Sequence, residues 1–232
     1  KLVASIRQNQ KTDKNDALAI VQASQLTDIQ FVKGKSVEQQ QLQSMMRLRE
    51  LAIKQKTASS NQIKALLLEF NIRVSPKKGG LKGVIESLLE DAENGFSFEF
   101  RHALNAAWGL HLGLLDSIRV YDRCLETSID EHDDCKRLLK LEGVGTLNAI
   151  NLYIALGCAD LGVFNKGKDA SACIGLTPLQ HSSGGVTKLG HIRKNARSST
   201  LRSQLITGAM AVVNQIMKRT AVTKKEAWIQ GL

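Results

Sequence analysis

The feature that most constrains the fold is the run from Ser36 to Asn71, which contains neither glycine nor proline. Such a run predicts a long helix, because those two residues are the main breakers of helices. Its apolar side chains fit one heptad frame, which comprises Leu42, Met45, Ala52, Ile63, Leu66 and Phe70. The run is therefore either an imperfect coiled-coil seam or an ordinary amphipathic helix pair broken near Ser59.

A second long helix is predicted from Phe98 to His132, where apolar residues recur at helical spacing. We expect it to lie antiparallel to the first. Shorter helices are predicted over residues 81–91, 166–174 and 201–218. Two prolines, 4% aromatic residues and 43% hydrophobic residues favour a mainly α fold with a real core.

The composition also restricts partners and compartment. A net charge of +10 and a pI of about 9.6 favour nucleic acid as the partner, with an anionic membrane surface as the competing interpretation. No apolar run approaches the roughly 20 residues of a membrane span, and there is no secretory signal. Irregular cysteine spacing argues against a zinc site and predicts free, mostly buried thiols in a reducing cytoplasm, at Cys124, Cys135, Cys158 and Cys173.

The segment from Gly175 to Gly190 is glycine-rich and predicted to be loop-like, with adjacent hydroxyls at Ser182 and Ser183. Glycines around a serine allow the backbone to approach a ligand closely. There is no Asp or Glu from Ala170 to Lys225, whereas many residues there are cationic, including Lys188, Arg193, Lys194, Arg197 and Arg202. A serine in an acid-free basic segment indicates chemistry or binding at a phosphate backbone.

At the N-terminus, Leu2 to Ile6 alternate weakly and are predicted to be the end of a strand. Thr12 or Asp13 is a good N-cap for a helix through about Ser24. Asp13 and Asp16 are three residues apart and share a helix face, where two carboxylates can hold a divalent cation if other acids contribute. The alternative is that they are acids favoured by the helix macrodipole.

Gly143-Val144-Gly145 lies between an apolar turn and an alanine- and leucine-rich stretch. This pattern is typical of a helix-hairpin-helix, in which a glycine-rich turn and the next helix's N-terminal amides meet a DNA phosphate. A plain turn between helices is the alternative. On the first interpretation Gly143 and Gly145 are nucleic-acid-binding residues.

Three stretches, in this order, resemble a known family. Lys11-Thr12-Asp13-Lys14-Asn15-Asp16-Ala17 resembles the signature that closes a RuvC-like DEDD domain. The stretch from Leu141 to Gly157 resembles the opening of a C-terminal transposase domain. The stretch from Ala172 to Ile192, with its His-Ser-Ser-Gly-Gly, resembles the core of that domain. The family is the one-hundred-and-ten family of insertion-sequence transposases, with its eleven-eleven subgroup and the related pilin-gene invertases.

The resemblance implies a transposase, a site-specific recombinase of a mobile element, that exchanges DNA strands. A RuvC-like metal domain and a C-terminal serine act together, and the serine forms a covalent 5′-phosphoserine intermediate. A non-coding bridge RNA guides the protein to DNA. The resemblance also implies a homo-oligomer, dimeric or tetrameric, with coiled-coil helices between subunits and a bacterial, nucleoid-associated location in the cytoplasm.

Carried onto this chain, the resemblance makes Asp13 and Asp16 the last two acids of the DEDD set and Ser183 the nucleophile, with Ser182 as the alternative. Phosphate contacts are expected from Lys188, His191, Arg193, Lys194, Arg197 and Arg202. Mg²⁺ or Mn²⁺ is expected only together with acids that lie upstream in the family. The chain starts at Lys1 without an initiator Met, so we expect an N-terminally truncated fragment. Because it carries only half of the DEDD set, we expect this fragment to be inactive.

The expected organisation has three parts. Residues 1–35 would be the end of the RuvC-like α/β domain, residues 36–135 a helical stalk with a linker near 75–80, and residues 136–232 the C-terminal transposase domain. One departure from the family is that residues 195–202 lack its usual glycine, which puts the local turn geometry in doubt. The alternative function, from a different class, is a helical nucleic-acid-binding module without chemistry.

Overall fold

The computed structural model describes residues 2–7, 10–27, 34–76, 79–156, 164, 166–192 and 199–231. Within these ranges the chain is mainly α-helical, as predicted. In chain order the elements are α1 (Leu2–Ile6), α2 (Asp13–Ser24), α3 (Val37–Glu69), α4 (Gly80–Glu90), α5 (Phe98–Asp130), α6 (Asp133–Leu139), α7 (Thr146–Leu156), α8 (Gly167–Ile174), β1 (Pro178–Ser183), β2 (Val186–Ile192), α9 (Ser199–Ile216) and α10 (Lys224–Gln230). None of the described helices combines the length and apolar character needed to cross a membrane.

The two long helices, α3 and α5, lie antiparallel to each other, which confirms the prediction. Arg49 in the first half of α3 pairs with Asp122 near the end of α5. Glu38 at the start of α3 lies 3.6 Å from His132, which follows α5. Early residues of one helix therefore meet late residues of the other.

α3 runs through Ser59 as one continuous helix, so the predicted alternative of a broken helix pair is wrong. Its start is well defined by a capping box. The Gln39 amide N–H donates to Ser36 Oγ over 3.1 Å, and the Ser36 amide N–H donates to Gln39 Oε1 over 3.1 Å. Reciprocal capping of this kind satisfies two amides that a helix N-terminus otherwise leaves open.

Two apolar clusters hold the long helices together. The first joins α3, α5, α6 and α7 and comprises Leu42, Leu125, Ile129, Cys135, Ala149, Ile150 and Ile154. The second joins α3, α4 and α5 and comprises Ile63, Leu67, Val84, Ile85, Leu104 and Trp108. In the second cluster Leu67 is fully buried, whereas Leu66 is 37% exposed, so the predicted heptad frame is one residue out of place there.

These clusters also affect the prediction that the apolar seam of α3 joins subunits in a coiled coil. Leu42 and Ile63 are buried against helices of the same chain, rather than presented to a second subunit. Because close-packed apolar side chains leave little room for a second partner, a coiled coil between subunits cannot use these two residues without rearrangement. Homo-oligomer formation stays a prediction, and it would have to involve other surfaces.

The C-terminal part packs α7, α8 and α9 around a third cluster of Leu152, Ile174 and Leu201. The predicted helices over 166–174 and 201–218 are confirmed to within about two residues. α10 was not predicted, although Thr223-Lys-Lys-Glu226 is a capping-box sequence that marks its start.

Two local predictions are wrong. Leu2–Ile6 is a short helix rather than the end of a strand, and the Arg7 amide N–H donates to the Val3 carbonyl over 2.9 Å. Five residues are too few for an alternating pattern to separate strand from helix. The stretch from Gly175 to Gly190 is not a loop, because most of it forms the antiparallel hairpin β1–β2.

The thiols also differ from expectation. Cys135 is buried, and burial, aided by the charge of Asp134, raises its pKa to about 11. Cys124 and Cys173 are exposed, so the prediction of mostly buried thiols is wrong for these two. Cys158 lies outside the described residues.

Candidate active site

The two candidate nucleophiles lie at the tip of the hairpin. Ser183 is the last residue of β1, and a two-residue turn of Gly184 and Gly185 leads to Val186, the first residue of β2. Both glycines have positive φ, 56° and 79°. Positive φ at both central residues defines a type I′ turn, whose twist matches that of the flanking strands. The Gly-Gly pair thus makes the hairpin turn and places Ser183 beside it.

Cross-strand pairing determines which side chains share a face. The ladder pairs Gln180 with Leu189, His181 with Lys188, Ser182 with Thr187 and Ser183 with Val186. Opposite residues project to the same face, and successive residues alternate between faces. The two candidate serines therefore lie on opposite faces of the hairpin.

The face that carries Ser183 also carries His181, Lys188 and Val186. The face that carries Ser182 holds Thr187, Gln180 and Leu189. All of these side chains are exposed. The hairpin therefore presents one face with a serine, an imidazole and an ammonium group, and a second face with two hydroxyls and no charge.

A β-bulge interrupts this alternation near the base of the hairpin. Pro178 pairs with Ile192, and the register shifts between Pro178 and Gln180. Leu179 therefore faces both Gly190 and His191. A β-carbon at Gly190 would lie 3.4 Å from the Leu179 carbonyl oxygen. Because Ile192 shares the face of Pro178 and Gln180, alternation places His191 on the same face as His181 and Ser183, but at the base of the hairpin.

The base of the hairpin is anchored by α8 and α9. Gly175, with φ of 83°, ends α8 in the left-handed conformation. Arg202 Nη1 donates to the Gly175 carbonyl oxygen over 3.3 Å. Leu201, next to Arg202, is buried against Ile174. Arg202, predicted to bind phosphate, thus also links α9 to the chain segment that leads into the hairpin.

The turn between α6 and α7 contains the predicted hairpin glycines, and they have different environments. Gly143 is half-buried, with φ of 79°, and a β-carbon there would lie 2.7 Å from the Gly208 carbonyl oxygen in α9. Asn148 Nδ2 donates to the carbonyl oxygens of Gly143 and Gln204 over 3.4 and 3.3 Å. Gly143 therefore packs against the body of the protein.

Gly145, in contrast, is exposed, and no atom of the described residues lies within 4 Å of a β-carbon position there. It lines an open groove of about 430 Å³ between the start of α7 and α9, whose lining also includes the hydroxyl-bearing residues Thr146, Ser203 and Thr207. Of the two glycines, Gly145 has the more accessible backbone for a ligand.

Asp13 and Asp16 lie in the first turn of α2, where Thr12 is the N-cap and accepts from the Asn15 amide N–H over 3.2 Å. Both oxygens of Asp16 face cations: Arg7 Nη1 is 2.9 Å from Oδ1, and Lys11 Nζ is 3.5 Å from Oδ2. The hydrogen bond from Arg7 lowers the pKa of Asp16, and the charge of Lys11 adds to this effect, while partial loss of hydration opposes it.

The structure does not bring the carboxylates and the serines together. α2 packs against α1, whereas β1 packs against β2, and these described elements share no extensive contact. In the described ranges, no group of three or more His, Cys, Asp or Glu side chains is arranged to hold a metal ion. The predicted basic residues Arg193, Lys194 and Arg197 lie outside the described residues.

Comparison with known proteins finds a family match in each half of the chain. Residues 1–72 match the model of DEDD transposases of the IS110 family, and residues 135–222 match the model described as the transposase IS116/IS110/IS902 family. The chain belongs to the IS110 family of transposases.

Several relatives of known identity support membership of the IS110 family along nearly the whole chain. The transposase for insertion sequence element IS1111A of Coxiella burnetii is 32% identical over 228 residues, covering 96% of this chain and 60% of that protein. A probable family 20 transposase of Pseudomonas aeruginosa is 31% identical, covering 96% and 64%. The transposase for insertion sequence element IS1328 of Yersinia enterocolitica is 28% identical, covering 95% and 64%. The chain thus spans about three fifths of the length of these relatives.

DEDD transposases of the IS110 family use divalent metal ions in general, and the donor set here is of the right kind. Asp13 and Asp16 offer carboxylate oxygens, which Mg²⁺ and Mn²⁺ prefer as ligands. A cation bound at Asp16 would have to replace its contacts with Arg7 and Lys11. The two carboxylates therefore suit a divalent cation only together with further oxygen ligands.

Proposed function

We propose that this chain forms part of a DNA transposase that cuts and exchanges DNA strands of an insertion sequence, with Ser183 as the nucleophile. The observation that carries the proposal is the position of Ser183: it is exposed at the tip of a hairpin, next to a tight Gly-Gly turn, in a chain of the IS110 family. The surrounding segment from Ala170 to Lys225 has no acid that would repel a phosphate backbone.

The chemistry follows from the hydroxyl group. A serine hydroxyl is a weak nucleophile at its ordinary pKa and has to lose its proton as it attacks phosphorus. Attack on a phosphodiester gives a phosphoserine linkage and releases one DNA end, which can later be exchanged. The hairpin tip suits this reaction because the side chain is accessible to an extended backbone.

The carboxylates of the DEDD part have a separate role in this proposal. Asp13 and Asp16, with further oxygen ligands, would hold a Mg²⁺ or Mn²⁺ ion. Such an ion would offset negative charge on the phosphate during the reaction. Because the described elements that carry Asp13 and Ser183 share no extensive contact, we infer that a complete site joins parts from different subunits of a homo-oligomer.

Nucleic-acid binding would come from backbone amides and cations around the groove and the hairpin. These residues are Gly143, Gly145, Lys188, His191, Arg193, Lys194, Arg197 and Arg202. Lys188 and His191 are exposed on β2, while Arg202 contacts Gly175 and would act on phosphate mainly through its charge. The proposal includes a non-coding bridge RNA that directs the protein to its DNA.

The test is covalent capture of DNA bearing the ends of the element, in the presence of Mg²⁺, by a longer protein in which this chain is joined to the upstream acids of the DEDD set. Ser183→Ala should abolish the protein–DNA adduct and leave DNA binding almost unchanged, because the substitution removes a hydroxyl but no charge. Ser182→Ala is the matched control from the opposite face of the hairpin, and its effect should be mild.

The same experiment separates the alternatives. If Ser182→Ala removes the adduct and Ser183→Ala does not, the nucleophile is Ser182. If neither substitution affects strand exchange, or if the longer protein with both serines present binds DNA without forming an adduct, a nucleic-acid-binding module without chemistry becomes the better description.

A further inference from the structure

We propose that His181 is the general base that takes the proton from Ser183, and that Lys188 holds the target phosphate beside them. The inference rests on the proposed function, because it names partners for the serine nucleophile. It starts from the register of the hairpin, which places these three side chains on one face.

The geometry brings the three groups within reach of one another. His181 and Ser183 are two residues apart on β1, a separation of about 6.6 Å along a strand. An imidazole ring extends several ångströms beyond its β-carbon, so it can reach across that gap to the serine hydroxyl. Lys188 is directly opposite His181 in the ladder, where paired β-carbons lie about 5 Å apart.

Other titratable groups do not offer the same arrangement. His191 lies opposite Leu179 at the bulge, which is four residues, or about 13 Å, from Ser183 along the strand and too far for its ring to reach the serine hydroxyl. The face of Ser182 carries Gln180, Thr187 and Leu189, none of which accepts a proton at neutral pH. No Asp or Glu occurs anywhere from Ala170 to Lys225, so this segment has no carboxylate to serve as the base. On the described hairpin, His181 is therefore the side chain suited to the role.

The proposed step balances as follows. The proton of the Ser183 hydroxyl moves to a ring nitrogen of His181 as Oγ bonds to phosphorus. The bond from phosphorus to the 3′ oxygen breaks, leaving a 5′-phosphoserine and a 3′ hydroxyl that takes its proton from water. The ammonium group of Lys188 contacts a non-bridging phosphate oxygen and offsets charge that grows on it. No redox change occurs.

The first test measures the rate of adduct formation in His181→Ala, using element-end DNA with Mg²⁺ and the longer protein that carries the upstream acids of the DEDD set. The rate should fall by about 10²- to 10⁴-fold, the usual contribution of a general base, while DNA binding stays unchanged. Free imidazole added to His181→Ala should restore part of the rate, because it can occupy the vacated space and accept the proton. His102→Ala, which removes an exposed histidine from α5, is the matched control and should form adduct at a near-normal rate that imidazole does not alter.

The second test uses pH. In the unaltered protein the rate of adduct formation should fall on acidification, because a protonated imidazole cannot accept a proton, and this fall should be absent in His181→Ala. Lys188→Gln should slow adduct formation at every pH, since it removes a charge from the phosphate and not the base. If His181 had only a structural role, His181→Ala would keep the pH profile of the unaltered protein, and added imidazole would not restore its rate.

A third readout needs no DNA. In NMR spectra of the protein, Ser183→Ala should shift the ring signals of His181, whereas Ser182→Ala, on the other face, should leave them unchanged. The reverse result would overturn the inference. The inference would also be overturned if His181→Ala formed adduct at a normal rate and with a normal pH profile while Ser183→Ala formed no adduct. If Ser183→Ala still forms adduct, the assignment of Ser183 as the nucleophile in the proposed function fails, and the two failures are thus distinguished.

Discussion

Gly143 and Gly208 approach each other so closely that neither position has room for a side chain. A β-carbon on Gly208 would lie 2.0 Å from the carbonyl oxygen of Gly143, and one on Gly143 would lie 2.7 Å from that of Gly208. This contact joins the turn between α6 and α7 to the middle of α9. Because α9 also carries Arg202, which contacts Gly175, it connects the turn to the base of the serine hairpin.

The first prediction concerns this contact. Gly208→Ala should lower the free energy of unfolding by about 1–3 kcal/mol, because the new methyl group meets backbone atoms that have little freedom to move. Helix propensity alone predicts the opposite, a gain of up to about 1 kcal/mol. Gly113→Ala, at an exposed site in α5 with open space around it, is the control and should show that gain. Urea unfolding measures both, and a stabilised Gly208→Ala would contradict the packing described.

The second prediction concerns the pH dependence of stability. His111 in α5 is buried, stacks on Trp108 at a ring-centroid distance of 5.2 Å, and its Nδ1 has no hydrogen-bond partner among the described residues. Burial lowers the pKa of His111 below 6.5, and the charges of Lys56 and Lys64 add to this effect. The unfolded chain therefore binds a proton more readily than the folded chain does.

The lowered pKa of His111 determines how stability changes with pH. His111 costs no stability above about pH 6.5, and stability is lost as the pH falls from there through the lowered pKa of the folded state. His111→Leu should reduce this loss, whereas His102→Leu, at an exposed site on the same helix, should leave it in place. Unfolding free energies measured from neutral to mildly acidic pH test this, and equal pH slopes for His111→Leu and the unaltered protein would rule it out.

The third prediction concerns metal binding. This chain should bind Mg²⁺ weakly, since two carboxylates without further ligands leave the ion mostly hydrated. In addition, Arg7 and Lys11 already form ion pairs with Asp16, which a bound cation would have to replace. Isothermal titration calorimetry measures the affinity. Tight, stoichiometric binding that disappears in Asp13→Asn would show that the chain alone forms a complete site.

The fourth prediction concerns the basic run that follows β2. Arg193→Ala and Arg197→Ala should each weaken DNA binding across all sequences and reduce its salt dependence by about one counterion, as expected for phosphate contacts. Titrations at several salt concentrations measure the slope. Lys54→Ala, which removes an equal charge from α3, is the control and should leave the slope unchanged.

The sequence by itself determined most of the helical part of the fold, because capping and periodicity are local. Thr12, Ser36 and Ser97 each accept a hydrogen bond from an amide N–H three residues ahead and so define where α2, α3 and α5 begin. The run from Ser36 to Asn71 predicted a long helix, and the apolar spacing predicted its antiparallel neighbour. The motifs around Asp13 and Ser183 were also sufficient to indicate the family.

Only the tertiary structure decided which surfaces those elements use. The sequence did not predict the hairpin, because its exposed strands show no alternation of apolar and polar residues. Only the pairing between the two strands defines them. That pairing separates Ser183 from Ser182, adjacent and chemically identical residues that project to opposite faces. Likewise, Leu67 rather than Leu66 is buried, and Gly143 packs on Gly208, because contacts between residues far apart in the chain depend on how the helices meet.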